Sequence, residues 1–452
     1  MMFTFNEIAA LFNSGQRLNP DITITSVEFD SRKVQAGSLF IPLKGATDGH
    51  DYLESAIAKG AVATLWGQKV APHQLPAILV EDTLTAFQDL ARFYLQKVAP
   101  KVVAITGSNG KTTTKDMTAN VLSQKYLTYK TQGNFNNHIG LPYTILAMPQ
   151  NTEFLVLEMG MDHPGEIDFL SRLGQPDAAA ITLIGESHLK YFGQRSGIAK
   201  AKMEITHGLK KDGFLVVPGD EVLLEPLLAD VSQEIFRFQM ETGSPLTAHI
   251  VEQQQQKTTF TLSFLPGEFE IPVSGNFNVK NALIAAFFGK QFGVSPADIF
   301  KGLKNVVLTQ NRSQWLAHDE VHILSDVYNA NPTAMSLVLQ SFQDFTTTGK
   351  KIAVLGDMLE LGVTSPALHA GIAEYLQPDK IQIVYLYGSE MQALYEELLK
   401  KYPQSALHYY PQTAKADLIA DLLSTVAPND YVVLKGSNGM HLDEIVAALL
   451  KK

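Results

Sequence analysis

The chain has 452 residues, with 36 Lys plus Arg against 46 Asp plus Glu and a formal net charge of −10, a length that exceeds what one hydrophobic core ordinarily serves and so implies several domains. No basic run is present that could neutralise a phosphate backbone, which excludes nucleic acid as an expected partner, although a few N–H groups and one lysine can still hold a small phosphorylated ligand. There is no cysteine, so disulfides, thiolate metal sites and cysteine nucleophiles are excluded.

The opening MMFTFNEIAALFNSG lacks a basic region followed by a long apolar run, and no stretch reaches the about 18 apolar residues of a membrane span. The expectation is a cytoplasmic protein without membrane insertion. The first 80 or so residues mix short β-like stretches, 22–29 and 38–43, with one helix around 52–59, and read as a small separate lobe. Residues 84–98 place Leu84, Phe87, Ala91, Tyr94 and Leu95 at helical spacing, an amphipathic helix leading into the next unit. From about residue 100, strand-length apolar runs alternate with helix-length segments, the pattern of parallel sheets covered by helices. One series of strands is expected at 102–106, 154–158, 179–184 and 214–217. A four-residue Gln run at 253–256 reads as an exposed turn, and a helical stretch over 278–292 precedes a less regular segment. A second series follows at 322–325, 352–355, 381–386 and 431–434. Domains are therefore expected over 1–82, 83–312 and 313–452.

Residues 101–117 read KVVAITGSNGKTTTKDM: a buried-type strand, a Gly-rich turn, then Lys-Thr-Thr-Thr opening a helix. Gly107 and Gly110 let the backbone turn tightly and aim N–H groups at an anion, and the helix N-terminus favours negative charge. Lys111 would reach the β- and γ-phosphates of a nucleotide and Thr112 would present its hydroxyl to Mg2+. The longer GxxxxGK[ST] pattern has glycine where this chain has Ile105, so the match is to the shorter GxxGKTT; the bland alternative is a tight strand-to-helix connection. With the element pattern, the loop predicts an α/β fold of three domains: a small α/β lobe, a central P-loop ATPase-like unit with a mostly parallel sheet, and a Rossmann-like carboxyl-terminal unit.

Glu158, in FLVLEMGM, stands at the carboxyl end of an apolar run, where α/β sheets place their ligand chemistry. It suits a magnesium ion, or it is a solvated strand end. ITLIGESHL brings Glu186 and His188 to the same sheet edge, where the histidine is a ligand or a structural residue. Lys200 and Lys202, in GIAKAKMEI, lie on a helix whose default is a solvated face.

The assembled pattern resembles the Mur ligase family nearly end to end. The motifs that carry the resemblance are TGSNGKTTTKDM at 106–117, GNFNNHIGLP at 133–142, EMGM at 158–161, IGESHL at 184–189, SDVYNANPTAM at 325–335, VLGDMLELG at 354–362 and KGSNGM at 435–440, with FDSRKVQAGSLFIPLKGATDGHDY at 29–52. The resemblance implies that Ser31 and Arg32 hold a uridine nucleotide, and that Asn136 and Asn137 touch substrate. It implies ATP phosphates on Gly107, Ser108, Asn109, Gly110, Lys111, Thr112 and Thr113, adenine near Asn278 and Asn281, and ribose and phosphate near Arg312 and Asp326. YNANP is similar to the segment of the family's D-alanyl-D-alanine-accepting branch, which assigns Asn329, Ala330 and Asn331 to that dipeptide; read alone, it is an Asn/Pro turn. Lys202 matches, better than Lys200, a lysine that carbon dioxide carbamylates, and its new carboxylate would join Thr112, Glu158 and His188 in holding two Mg2+ ions. Two departures stand out: Asn311-Arg312 replaces a usual Gly-Arg, and Asn438 replaces a common arginine.

The activity so implied is ATP-dependent ligation of D-alanyl-D-alanine to a UDP-N-acetylmuramoyl-tripeptide through an acyl phosphate, in peptidoglycan precursor synthesis, by a monomer in which Lys111, His188 and Lys202 are catalytic. The competing readings are a ligase adding the third amino acid to the muramoyl dipeptide, a folylpolyglutamate synthase and a P-loop switch or motor ATPase. YNANP and the DSR segment speak against the first two, and dipeptide dependence of ATP turnover separates the third.

Overall fold

The computed structural model describes residues 2–240 and 243–451. Met1, Glu241, Thr242 and Lys452, which the expected domain spans include, lie outside the described residues.

Strands β1 (Phe3–Thr4) and β2 (Thr23–Ile24) pair antiparallel, and β3 (Ser26–Glu28), β4 (Ser38–Phe40), β5 (Ala61–Trp66) and β6 (Ala77–Leu79) form a parallel four-stranded sheet in sequence order. The expected helix of the lobe is Leu53–Ala58. The amphipathic helix at its border is Thr83–Val98, with Asp82 accepting from the Thr85 N–H as N-cap at 2.7 Å. Its Phe87, Leu90, Ala91 and Tyr94 join one core with Phe3, Phe5 and Ile78 of the lobe and with Leu155 and Leu157 beyond it, so this helix joins lobe and central sheet.

The second sheet has nine strands, β7 (Lys101–Thr106), β8 (Thr128–Lys130), β9 (Phe154–Glu158), β10 (Ala178–Ile181), β11 (Phe214–Pro218), β12 (Glu234–Met240), β13 (Leu246–Gln254), β14 (Lys257–Leu262) and β15 (Leu265–Ile271), in the order β15-β14-β13-β12-β11-β10-β7-β9-β8. β7 to β13 are parallel and β13 to β15 form an antiparallel arm. Because successive strand residues point to opposite faces, both faces are apolar. Val102, Ala104, Ala179 and Leu215 pack with the lobe-side core, while Val103, Ile105, Ala178, Ala180 and Val216 pack with Met117 and Val121 of the helix Lys111–Leu122 and with Leu283 and Phe288 of the helix Asn276–Gln291.

Three expectations change here. The run over 179–184 leaves the sheet at Ile181, because Thr182 turns its hydroxyl onto the glycine loop. The Gln run is half strand and half turn: Gln253 and Gln254 end β13, and Gln255 and Gln256 connect to β14. The segment expected to be irregular contains the helix Pro296–Lys304, with a Ser295 N-cap and Pro at its first position, a start signal present in the sequence.

The third sheet consists of β16 (Gln314–His318), β17 (Val321–Asp326), β18 (Lys351–Gly356), β19 (Ile383–Tyr387), β20 (Leu407–Tyr410) and β21 (Tyr431–Lys435), in the order β16-β17-β21-β18-β19-β20, parallel except for the edge strand β16. In both large sheets the carboxyl ends of inner strands lead to one cleft, lined by Gly107 just past β7, Glu158 at the end of β9 and Thr182 just past β10 from the second sheet, and by Asp326 and Lys435 from the third. Packing at the back of the loop helix leaves no slack: a Cβ on Gly302 would lie 2.7 Å from Val121 Cα and 3.1 Å from Asn120 O. Gly302→Ala is expected to cost about 1–3 kcal/mol of stability; an unaltered thermal melt would contradict this packing.

Candidate active site

The glycine loop, residues 107–110, leaves β7 and opens the helix Lys111–Leu122. Gly107 has φ +150° and Gly110 φ +82°, and there is no room for a side chain at either: a Cβ would meet Thr182 Oγ1 at 1.9 Å and Asn281 Oδ1 at 2.6 Å. The segment after β10 clamps the loop. Ser108 N–H donates to Leu183 O at 2.8 Å, Ser108 Oγ to Gly185 O at 3.2 Å, and Thr182 Oγ1 to Asn109 O at 2.5 Å. Lys111 Nζ is folded back onto Gly107 O at 2.7 Å, and burial lowers its pKa while Glu158 opposes the shift.

Glu158, 1% exposed at the end of β9, accepts from Thr112 Oγ1 at 2.8 Å on one oxygen and from Asn136 Nδ2 at 2.8 Å on the other. Both donors are neutral, and among the described residues no cationic side chain pairs with it at salt-bridge distance. A buried carboxylate in that state is costly unless a cation joins it. Lys202, on the helix Arg195–Met203, is 3% exposed and lines the same cavity, and its side chain makes no hydrogen bond or ion pair among the described residues. Burial first, and the Lys111 charge second, pull its ammonium well below the usual lysine range.

His188, in the left-handed conformation at φ +58°, has Nδ1 2.5 Å from Glu360 Oε2 and 3.4 Å from Asp162 Oδ1. Glu360 comes from the loop after β18, so the third sheet's unit reaches over to the second. The same joint holds Asn331, whose Nδ2 donates to Asn109 Oδ1 at 3.0 Å and Ser187 Oγ at 2.7 Å, and Glu186, which accepts from the N–H and hydroxyl of Thr333 at 3.1 and 2.6 Å.

The opposite wall carries Asp326 at the end of β17, ion-paired with Lys435 at the end of β21, whose Nζ also donates to Asn329 O at 3.0 Å. Arg312 lies over the Tyr328 ring, 4.0 Å from its centroid, and its Nε is buried without a hydrogen-bond partner among the described residues. An orphaned guanidinium N–H on a cavity wall calls for an acceptor from a ligand.

One cavity of about 520 Å³ joins these walls. Of the residues expected at a site, Gly107, Ser108, Asn109, Gly110, Lys111, Thr113, Asn136, Glu158, His188, Lys202, Asn278, Asn281, Arg312, Asp326 and Asn329 line it, and Thr112 is one hydrogen bond behind Glu158. Asn281 braces the loop, its Oδ1 accepting from Thr114 Oγ1 at 3.1 Å, while Asn278 Nδ2 donates to Ser274 O at 2.7 Å.

Besides Thr112, five expected residues do not line the cavity. Asn137 turns to the start of the helix Gly140–Ala147, its Oδ1 accepting from Gly140 N–H at 2.9 Å; Ala330 is buried; and Asn331 is committed to the joint and to capping Ala334 N–H at 2.8 Å. Ser31 is buried in the lobe, and the exposed Arg32 is paired with Asp30 at 2.8 Å, holding that carboxyl down at about 2. Thr182, Asp162, Glu360, Tyr328 and Lys435 take part in the site without having been singled out. Thr182, Tyr328, Glu360 and Lys435 lay inside quoted segments, but only the fold brings them to the cleft.

A three-part α/β chain with a glycine loop facing an orphaned arginine across a domain cleft is the architecture of an ATP-dependent ligase, and the chain belongs to the Mur ligase family. It matches the Mur ligase family catalytic domain over residues 23–94, the Mur ligase middle domain over 105–289 and the Mur ligase glutamate ligase domain over 311–438. Among its relatives is the UDP-N-acetylmuramoyl-tripeptide–D-alanyl-D-alanine ligase of Bacillus subtilis strain 168, 44% identical over 95% of this chain and 93% of that protein. Its fold is that of MurF from Acinetobacter baumannii, at a TM-score of 0.88 and 30% identity over 100% and 99% of the two chains, and of the Thermotoga maritima MurF ligase solved with ADP, at 0.81 and 27% over 95% and 98%.

The Lys202 amine makes a signed prediction. Its folded pKa lies below its unfolded one, so at neutral pH the unfolded chain binds the extra proton and folding carries a penalty that fades as pH rises toward the ordinary lysine value. Lys202→Met is expected to melt above the unsubstituted protein at pH 7 in carbon-dioxide-free buffer, with the gap closing toward pH 10. A gap that is absent or widens with pH would rule out a neutral buried amine.

Proposed function

We propose that this chain joins D-alanyl-D-alanine to UDP-N-acetylmuramoyl-tripeptide, converting ATP to ADP and phosphate, in the cytoplasm and as a monomer. The supporting observation is the cavity itself, with the glycine loop, Glu158 and Lys202 on one wall and Arg312, Asp326 and Lys435 on the other. The relatives carry that activity in their names, and the Thermotoga maritima relative was solved with ADP. No helix among the described residues is long and apolar enough to cross a membrane.

In the proposed reaction the terminal carboxylate of the tripeptide attacks the γ-phosphorus of ATP, the bond to the bridging oxygen breaks, and ADP leaves. The dipeptide amine then attacks the acyl carbon, phosphate leaves with its oxygen, and the nitrogen loses a proton. A carboxylate approaching a triphosphate is repelled, so the residues must neutralise charge. The N–H groups opening the loop helix face the phosphates. Lys111 exchanges its bond to Gly107 O for phosphate oxygens, Arg312 offers its unpaired Nε from the far wall, and the cleft excludes water from the labile acyl phosphate.

Among the described residues no three His, Cys, Asp or Glu side chains form a ready metal cluster. The donors nonetheless fit magnesium, because Glu158 is a buried anion without a counter-ion and Thr112 adds a second hard oxygen. Glu158, Thr112, His188 and a carbamate formed from Lys202 and carbon dioxide are the groups that would hold two Mg2+ ions, whose chemistry there is to offset phosphate charge. The neutral amine that carbamylation requires is what burial of Lys202 favours.

Two measurements test this reading. Phosphate release should need both the nucleotide-linked tripeptide and the dipeptide, and Lys111→Ala should slow it at least about a hundredfold while the fold persists. Dipeptide-independent hydrolysis would instead identify a switch ATPase. Lys202→Ala should lose turnover to a similar degree and recover part of it with added short-chain carboxylates, whereas full activity of the unsubstituted chain after exhaustive carbon dioxide removal would count against the carbamate.

A further inference from the structure

The loop motif TGSNGKTTTKDM contains two charged residues that the proposed chemistry does not use, Lys115 and Asp116, and both are almost fully buried at 1% and 2% exposure. They sit on the helix that the glycine loop opens. Asp116 Oδ1 takes Lys130 Nζ at 2.6 Å and Lys115 Nζ at 3.3 Å, so its charge is balanced within the central unit. Its other oxygen, Oδ2, leaves that unit's core and accepts from both the N–H and the hydroxyl of Thr309, at 3.1 and 2.8 Å.

Thr309 belongs to the segment between the helix Pro296–Lys304 and β16, the connection from central to carboxyl-terminal unit. Two residues on, the chain is held by the other unit: Asn311 Oδ1 accepts from Ser325 Oγ at 3.0 Å, and Ser313 N–H donates to Asp326 Oδ1 at 2.9 Å. Gln310 between them is exposed and makes no hydrogen bond among the described residues. The first bracket holds the backbone and hydroxyl of Thr309, the second holds the side chain of Asn311 and the backbone of Ser313, and Gln310 alone separates the two held residues Thr309 and Asn311.

We propose that Asp116 is a positioning residue that fastens the interdomain connection to the glycine-loop helix and confines the pivot between the units to Gln310, so that Arg312 swings toward the loop on a fixed short lever. A pivot left free over the whole connection would spread Arg312 over many poses, and ordering them would be charged to the closed state. Fixing Thr309 to the helix that carries the phosphate site removes most of that disorder in advance.

The chain has no cysteine, so Lys211→Cys and Lys400→Cys, both exposed, give one unique pair for spin labels across the two units. In the otherwise unsubstituted protein with a nonhydrolysable ATP analogue, the distance distribution should be narrow. Thr309→Val, which keeps shape but loses the hydroxyl donor, should broaden it at least about twofold and lower kcat/KM for the dipeptide about tenfold, as expected for one hydrogen bond to a charged acceptor. Thr309→Ser should restore both. Asp116→Asn, measured well below its melting temperature, should broaden the distribution in the same way.

A Thr309→Val protein with an unchanged distance distribution overturns the proposal, even if its melting temperature falls, because Asp116 would then be a structural ion only. The kinetic arm rests on the proposed ligase reaction, whereas the distance arm needs only nucleotide binding. Loss of all dipeptide-dependent turnover in the unsubstituted chain would therefore refute that reaction and leave the pivot to be judged on distances.

Discussion

Everything at the site depends on a loop that has no space for a side chain at either of its two glycines. Residues 107–110 run between Thr182 on one side and Asn281 on the other, and a methyl group at Gly107 or Gly110 would collide with one or the other. The close fit has a physical use, because backbone N–H groups can face an anion only if the chain can approach it without intervening carbon. It also explains why Thr182 leaves its strand: its hydroxyl is needed on Asn109 O, so β10 stops at Ile181 and the following residues wrap the loop. Loop, strand end and helix therefore form one rigid block, and Glu158, on the neighbouring strand, is positioned against it.

The same block stores electrostatic cost. Glu158 is a buried anion bonded to neutral donors, Lys202 a buried amine bonded to nothing among the described residues, and Arg312 carries a buried Nε with no acceptor. Each is a desolvation cost that the neighbouring side chains do not fully offset. Their concentration in one cleft, while the sheets behind them are apolar on both faces, is the signature of a site whose missing partners arrive with substrate. Asp116 is the contrasting case: also buried, but provided with two lysines and two donors from Thr309, so it needs nothing from outside.

Much of this was legible in the residues because the relevant signals are local. Strands over 102–106 and 154–158 and the amphipathic helix over 84–98 follow from runs and spacing and stand within a residue of their expected bounds, and a helix opens at Lys111 as the glycine turn implies. What stayed hidden is what two distant segments make together. The antiparallel arm β13 to β15 reads locally like any polar stretch, and Asn331 reads like a turn or a ligand contact until Asn109, 222 positions away, takes its amide. Glu360 gives no local hint that it will meet His188. Burial of Lys202 was likewise invisible, since a lysine on a short helix is solvated by default and only its place in the folded chain, 3% exposed, says otherwise.

The departure at Asn311 shows how a geometric constraint filters sequence. Asn311 has φ +59°, in the left-handed region that glycine enters freely and asparagine tolerates better than other residues with side chains, so this position suits the glycine that the family resemblance implies as well as the asparagine found. The asparagine also does what a glycine could not, since its side-chain oxygen accepts from Ser325 and ties the connection to β17. Asn438 differs in kind: it is exposed beyond β21 and does not line the cavity, where Arg312 and Lys435 already bring positive charge to that wall. A substitution at a strained backbone position must preserve conformation, while one at an open position need only leave the charge of the cleft intact, and this chain does both.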